Sequence, residues 1–542
     1  MLNYVWLGLL VLGIGTALVT DISNQGSDKY KNGESFPAEI IFAQPVDSSL
    51  IKTYDAKLIV KPAVFNKFYN IIINSPLQVP AKITIVPSKK TASFVLTIDK
   101  TAPAIWQQMA KASGEENDLT GRMTINSVNG LNVSAGLVFE TVSFLKFKDI
   151  TNAALEYAGT AVNIALGLIG IMALWLGVMK VAEDAGLISL IAKWLKPVMK
   201  KLFPDVPADH PAMGSMIMNI SANMLGLGNA ATPFGLKAME ELDKLNPDKG
   251  TATNSMVTFL AINTAGLTLI PATAIAVRAA AGSSEPAIII GTSIFGAGCA
   301  TAAGITAAKV LEKFPVASGF TNWIKNNSKG LSIFLLILLV LILIGVTGAG
   351  SYILNGLQFI KPALFKRIIE IISIVAIPAL IILFIGYGAF KRVRVYEQFV
   401  EGAKEGFNIA VRIIPYLVAM LMAIGIFRAG GAMDWLTYIL GPVTNLIGMP
   451  AEALPMALMR PLSGSGSLGI MTEIIKVHGP DSFIGIMVST FFGSTETTFY
   501  VLAVYFGAVN IKNMRHALPA GLIADVAGIL GAVFIVRLLF GH

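Results

Sequence analysis

Two apolar stretches, one in each half of this 542-residue chain, break off into small polar residues in the same way. The first reads Asn223-Met-Leu-Gly-Leu-Gly-Asn-Ala-Ala-Thr-Pro233 and the second Arg460-Pro-Leu-Ser-Gly-Ser-Gly-Ser-Leu-Gly-Ile-Met-Thr472. In hydrocarbon every unpaired backbone N–H or C=O is costly, so a helix breaks there only where protein or a wet cavity takes up the freed groups. Matching interruptions in two halves of one chain point to a binding site at a repeat interface. The expected fold is an all-α polytopic membrane protein with two pseudo-repeats containing broken helices.

Composition agrees. The chain is 54% hydrophobic and 14% charged, where a soluble protein would carry roughly 25% charged residues. Apolar runs at 4–19, 155–179, 256–277, 288–308, 331–346, 368–390, 409–427, 483–506 and 517–540 read as spans. The net charge of +8 does not indicate nucleic acid, because Lys and Arg gather at span ends, as lipid topology requires. The bilayer is therefore the expected partner. Cys299 is the single cysteine and forms no internal disulfide. His210, His478, His516 and His542 lack metal-ligand spacing, so no metal and no cofactor is expected. No nucleophile–base pattern and no phosphate loop appears, which argues against an enzyme.

Residues 1–21 read as a membrane anchor. They lack a basic n-region and a good cleavage site, which favours an anchor over a signal peptide. Residues 22–148 alternate polar stretches with β-branched runs at 39–43, 57–61, 68–73, 83–86, 93–99, 122–128 and 133–140. That pattern predicts a small all-β, sandwich-like soluble domain, with Asn129-Gly130 as a hairpin turn. Residues 149–315 form the first membrane half, 316–367 a linker with one span, and 368–542 the second half. Asn163-Ile-Ala165 recurs as Asn408-Ile-Ala410, and Leu195-Lys-Pro197 as Leu440-Gly-Pro442, at an offset of 245. Lys193, Lys196, Lys200 and Lys201 follow the first span of repeat one, whereas residues 430–448 of repeat two carry no Lys or Arg. The charge distribution predicts inverted repeats, with residues 22–148 on the outer face of the membrane.

The candidate site comes from the breaks. Asn223, Asn229 and Thr232 in the first, with Asn263 and Thr264 downstream, offer amide and hydroxyl groups to a polar solute. In the second half Ser463, Ser465 and Ser467 replace the amides, and Arg460 and Glu473 flank the break as charge partners. The most specific signal is Gly493-Ser-Thr-Glu-Thr-Thr498. Glu496, beside Thr495, is the only acid of the run 483–506. An intramembrane acid marks an ion or substrate path, or else a structural ion pair, here with Arg460.

At these motifs residues 150–313 resemble the bacterial spore maturation protein A family, notably in Leu166-Gly-Leu-Ile-Gly-Ile-Met-Ala-Leu-Trp-Leu-Gly177 and the first break. Residues 369–541 resemble spore maturation protein B in Arg412-Ile-Ile-Pro-Tyr-Leu-Val-Ala-Met420, Met459-Arg-Pro-Leu-Ser-Gly-Ser-Gly466 and Gly493-Ser-Thr-Glu-Thr-Thr-Phe-Tyr500. Both families belong to the nucleoside-recognition, or Gate, group. The resemblance implies an A–B fusion in a bacterial inner membrane and leaves the solute open. Two functions are expected to compete: a permease for a small polar solute, cation- or proton-coupled, and a non-transporting envelope scaffold. The scaffold would recruit an envelope protein through residues 22–148, and either could act as a homo-oligomer.

Overall fold

The computed structural model describes residues 2–45, 51–86, 91–112, 117–226, 231–312 and 362–541. The chain divides into two compact units. One comprises Leu9–Ala154 with Gly425–Ala432, and the other Met1–Gly8, Leu155–Ile424 and Met433–His542.

The first unit holds most of α1 (Leu2–Gly26) and a domain built from β1 (Phe36–Phe42), β2 (Lys52–Val60), α2 (Pro62–Tyr69), β3 (Leu77–Ile85), β4 (Thr91–Thr97), α3 (Ala104–Ala112), β5 (Asp118–Asn129) and β6 (Asn132–Phe139). Each strand pairs antiparallel with the next and β6 returns to β1. The result is one closed barrel rather than two facing sheets, and closure leaves no edge strand open. Along β1, Phe36, Ala38, Ile40 and Phe42 are buried while the residues between them are exposed, the period of two that strand geometry imposes.

Two sequence expectations change here. The run 68–73 is not a strand: Phe68 and Tyr69 end α2, which Pro62 opens in its first turn, where a missing N–H costs nothing. The last turn is Gly130-Leu131, one residue later than expected, with Gly130 at φ +65° between the paired Asn129 and Asn132. The two helices complete the barrel core. Trp106 of α3 is fully buried, lies edge-on to Phe36 with ring centroids 5.8 Å apart, and donates to the Tyr69 hydroxyl over 3.2 Å.

Asp21 of α1 is buried. Its two oxygens accept the Lys146 and Phe147 amide N–H groups at 3.0 and 3.1 Å. Those are orphan donors at the start of α4 (Leu145–Asp184), where a carboxylate also meets the positive end of the helix dipole.

In the second unit α4 is followed by α5 (Leu187–Leu202), α6 (Pro211–Met224), α7 (Thr232–Lys244), α8 (Asn254–Ala265), α9 (Ala272–Ala280) and α10 (Ile289–Leu311). After α11 (Pro362–Phe390) come α12 (Val395–Ala429), α13 (Ala432–Leu446), α14 (Leu454–Met459), α15 (Gly464–His478), α16 (Phe483–Ser494), α17 (Thr498–Ala508) and α18 (Ala517–Phe540). The same order occurs twice: a long helix of 40 or 35 residues, one of 16 or 15, two broken pairs, and a closing helix of 23 or 24. Among the described residues five helices are long and apolar enough to cross a bilayer, which fits a polytopic membrane protein. The runs 256–277 and 483–506, expected as single spans, are each split into two half-helices. The run 331–346 lies outside the described residues.

Among the polar ties between the halves, two clusters lie in the loops. At one, Ala252 N–H donates to Asn513 O at 2.9 Å and Lys512 N–H to Gly250 O at 2.9 Å. At the other, Asp481, in the turn before α16, accepts from the Ser284 amide (2.8 Å), the Ser283 hydroxyl and the fully buried Arg278 guanidinium (2.9 Å). Partial burial works against the charged Asp481. The hydrogen bonds from Ser283 and Ser284, with Arg278, outweigh it and hold its carboxyl below the usual range. A depressed folded pKa adds stability above the unfolded value of about 4 and loses it as pH falls through the folded value.

Two outcomes are expected. Trp106→Ala should destabilise the barrel by about 3–5 kcal/mol, measured as a lowered urea midpoint for hydrogen exchange in residues 36–139. Asp481→Asn should lower the melting temperature by a few degrees at pH 7. The gap to wild type should close as the pH is taken below about 4.

Candidate functional site

Four interruptions lie in the second unit, and each has its own local cause. Between α6 and α7, Gly226 adopts φ +81°, where a Cβ would meet the Ile270 carbonyl at 2.5 Å, so only glycine fits. Between α8 and α9, Gly266 at φ +58° ends one half-helix and Pro271 precedes the next. Between α14 and α15, Ser463 caps the new helix, its hydroxyl accepting the Gly466 N–H at 3.0 Å. Between α16 and α17, Thr495 and Thr497 are extended with neither Gly nor Pro to break the run.

The freed backbone groups find one another. Leu269 N–H donates to Met224 O at 2.8 Å, joining the first and second interruptions in the order just given. Glu496 N–H donates to Thr264 O at 2.9 Å, and Phe499 N–H to Pro461 O at 3.1 Å. The Arg460 guanidinium donates to the Thr495 carbonyl. All four interruptions are thus tied by hydrogen bonds that would otherwise run along a helix.

They enclose a cavity of about 70 Å³ whose wall includes Asn223, Gly226, Thr268, Arg460, Thr495 and Glu496. Three helix C-terminal ends reach it, those of α6, α14 and α16, and one N-terminus, that of α9. Arg460 is only 3% exposed. It pairs with Glu496 at 3.6 Å and stacks over the Phe492 ring at 4.4 Å. The Glu496 side chain is 45% exposed, so the acid is open while its cation is enclosed. Two buried polar atoms of this wall, Arg460 Nε and Thr495 Oγ1, have no partner among the described residues.

The residues singled out from sequence separate into groups. Asn223, Arg460, Thr495 and Glu496 line the cavity. Asn263 stands behind Asn223, accepting its amide at 3.0 Å and donating to Phe259 O at 2.9 Å. Thr264 receives Glu496 through its carbonyl and turns its hydroxyl back to Ala261 O. Ser463, Ser465 and Ser467 serve the start of α15: Ser467 donates to Ser463 O at 2.8 Å, and the Ser463 and Ser465 hydroxyls are 3.4 Å apart. Thr232 opens α7, and Glu473 is fully buried within α15. None of Thr232, Ser463, Ser465, Ser467 or Glu473 reaches the cavity wall. Asn229 lies outside the described residues.

Two further residues matter here, of which the second was missed as a candidate. Asn219 is fully buried and donates to Ala231 O (2.9 Å) and the Tyr505 hydroxyl (3.2 Å), tying the first break to α17. Asp525, in α18, is 1% exposed and accepts the Thr498 hydroxyl at 2.6 Å. A lone acid inside the run 517–540 was the available signal.

A family profile described as Gate, nucleoside recognition, matches the chain twice, over residues 165–280 and 410–512. These two stretches contain all four interruptions. Inner membrane protein YjiG of Escherichia coli (strain K12) is 32% identical over 84 residues, 55% of its length and 15% of this chain. Spore maturation protein A of Bacillus subtilis (strain 168) is 48% identical over 159 residues, 81% of that protein and 29% of this chain. Spore maturation protein B of the same strain is 53% identical over 175 residues, 98% of that protein and 32% of this chain. With both relatives matched over most of their length in one polypeptide, this chain belongs to the Gate-domain spore maturation A/B family of membrane proteins, in a form consistent with their fusion.

Proposed function

We propose that this chain is a permease of the bacterial inner membrane for a small polar solute, and that the cavity among the four interruptions is its solute site. The observation that carries this reading is the convergence itself. Four apolar helices break at one place, and an enclosed cation and an open acid meet there. A dry packing interface needs none of these.

The wall chemistry narrows the solute. Each helix C-terminus presents roughly half a negative charge, so three such ends and Glu496 outweigh Arg460 and the α9 N-terminus. The site favours cations or neutral solutes rich in N–H and O–H donors, and disfavours anions. The present volume of about 70 Å³ compares with roughly 30 Å³ per water. It holds an ion or a very small group. A nucleoside-sized solute requires the half-helices to move apart. Arg460 supplies the countercharge that keeps Glu496 in place, and Asn223, held by Asn263, supplies the neutral donor–acceptor pair.

Inversion of the two repeats is part of the proposal. The α8–α9 pair runs from the Asn513 tie to the Asp481 tie, whereas α16–α17 runs from the Asp481 tie back toward Asn513. Antiparallel placement of equivalent pairs supports inverted repeats, and the Lys193–Lys201 cluster then lies on the cytoplasmic side with residues 22–148 outside. The separate barrel core favours a second reading, a scaffold that recruits an envelope partner through residues 22–148. Deleting that domain should abolish partner capture under the scaffold reading and leave solute flux intact under the permease reading.

Uptake of labelled nucleosides, amino acids and small organic cations into proteoliposomes tests the main reading. Glu496→Gln should reduce flux of the accepted solute about tenfold or more, as a lost charge-assisted hydrogen bond implies, with membrane insertion unchanged. Unaltered flux removes Glu496 from the site, and absence of flux for every class counts against the permease. Cysteines at Lys196 and Gly441 should label from opposite sides of the membrane, and labelling from one side overturns the inversion.

A further inference from the structure

A second acid stands at the same break as Glu496, and the solute site does not use it. The extended segment 495–497 has the cavity on one side, at Thr495 and Glu496. On its other side runs α18, with Gly521 closing on Thr498 and Gly528 on Thr495. Between those two glycines α18 carries Asp525. Its Oδ2 accepts the Thr498 hydroxyl at 2.6 Å, while its Oδ1 is buried and has no partner among the described residues.

The charged groups acting on Asp525 are Arg460 and Glu496, and Arg460 in turn interacts with both acids. The helices packed on α18 add little charge. α8 and α16 carry no titratable side chain, α10 carries Cys299 and Lys309, α17 carries Tyr500 and Tyr505, and the described side chains of α11 include Tyr387; none of these acts on Asp525. One enclosed guanidinium therefore serves two carboxyls, and it makes its ion pair with Glu496. A buried ionised carboxylate with a single neutral donor is costly, and the cost falls when a cation binds. A hard metal cation gathers about six oxygens, whereas among the described residues the Thr498 hydroxyl is the one hydrogen-bond partner of Asp525. A proton needs one free oxygen, and Oδ1 supplies it.

We propose that Asp525 is a proton-exchange site, electrostatically linked through Arg460 to Glu496, and that it is the coupling site of the carrier. Hydronium that reaches the break gives its proton to Oδ1. One O–H bond forms on the carboxyl, one breaks on hydronium, and water is left. The reverse step returns the proton on the other side of the membrane, and no electrons are transferred. Protonation brings the Arg460–Glu496–Asp525 group to neutrality, so solute charge at Glu496 and proton occupancy at Asp525 influence each other. The coupling role rests on the permease reading; the proton site does not.

Infrared titration of the full-length protein in lipid vesicles tests the site without any solute. Wild type should show a protonated-carboxyl band that appears and disappears with pH. The band should vanish in Asp525→Asn and persist with a moved midpoint in Glu496→Gln. Thr498→Val keeps the carboxyl and removes only its donor, so it should move the band's frequency even if Asp525→Asn fails to fold. A titrating band unchanged in Asp525→Asn, or no titrating band in wild type, overturns the proton site. A midpoint indifferent to Glu496→Gln overturns the link. A passing titration beside a failed uptake screen would retire the permease and leave the proton site standing.

Discussion

The hydrogen bonds that join the interrupted helices to one another set the terms for the rest of the membrane unit. A helix normally satisfies its own backbone; at a break it cannot, and hydrocarbon offers no water to substitute. Here the amide of Leu269 takes the Met224 carbonyl, that of Glu496 takes Thr264, that of Phe499 takes Pro461, and Arg460 takes Thr495. No interruption is self-sufficient. The first half supplies one acceptor, the Thr264 carbonyl, to the second, so the breaks of the two halves are joined directly. Arg460 is central because it closes a carbonyl, balances Glu496 and covers the Phe492 ring at once.

Much of this was legible in the sequence where backbone chemistry is written in residue type. Gly226 and Pro233 mark the first break, and Ser463 with its glycines marks another, because glycine and proline alter what a helix can do. The break at Thr495–Thr497 was not legible as a break. Threonine tolerates extended backbone without announcing it, and the apolar run around it satisfies any test of length and hydropathy. Only the acid drew attention to that place. The break after Gly266 carried both a glycine and Pro271, yet the flanking leucines and isoleucine kept the run looking continuous.

In the N-terminal domain, alternation located all six strands, with one run too many at 68–73, but could not distinguish facing sheets from a closed barrel. The difference lies in whether the last strand reaches the first, a contact between β1 and β6 separated by about a hundred residues of sequence. The run 68–73 was misassigned for a related reason. Phenylalanine and tyrosine favour strands, but Pro62 in the first turn and the buried face of Phe65 and Tyr69 make it a helix. At the site, roles divided by geometry that spacing cannot convey. Ser463 and Ser467 serve helix ends, while Asn223 faces the cavity from the same kind of motif.

Asp21 gives the first helix a structural duty. Its carboxylate is the acceptor for the opening amides of α4, the helix that leads from the barrel into the first repeat. A protease that trimmed the chain just beyond that aspartate would do more than shorten a hydrophobic tether. It would strip the lid from the start of the longest helix and leave two enclosed donors with nothing to bind. The first helix thereby takes part in shaping the start of α4.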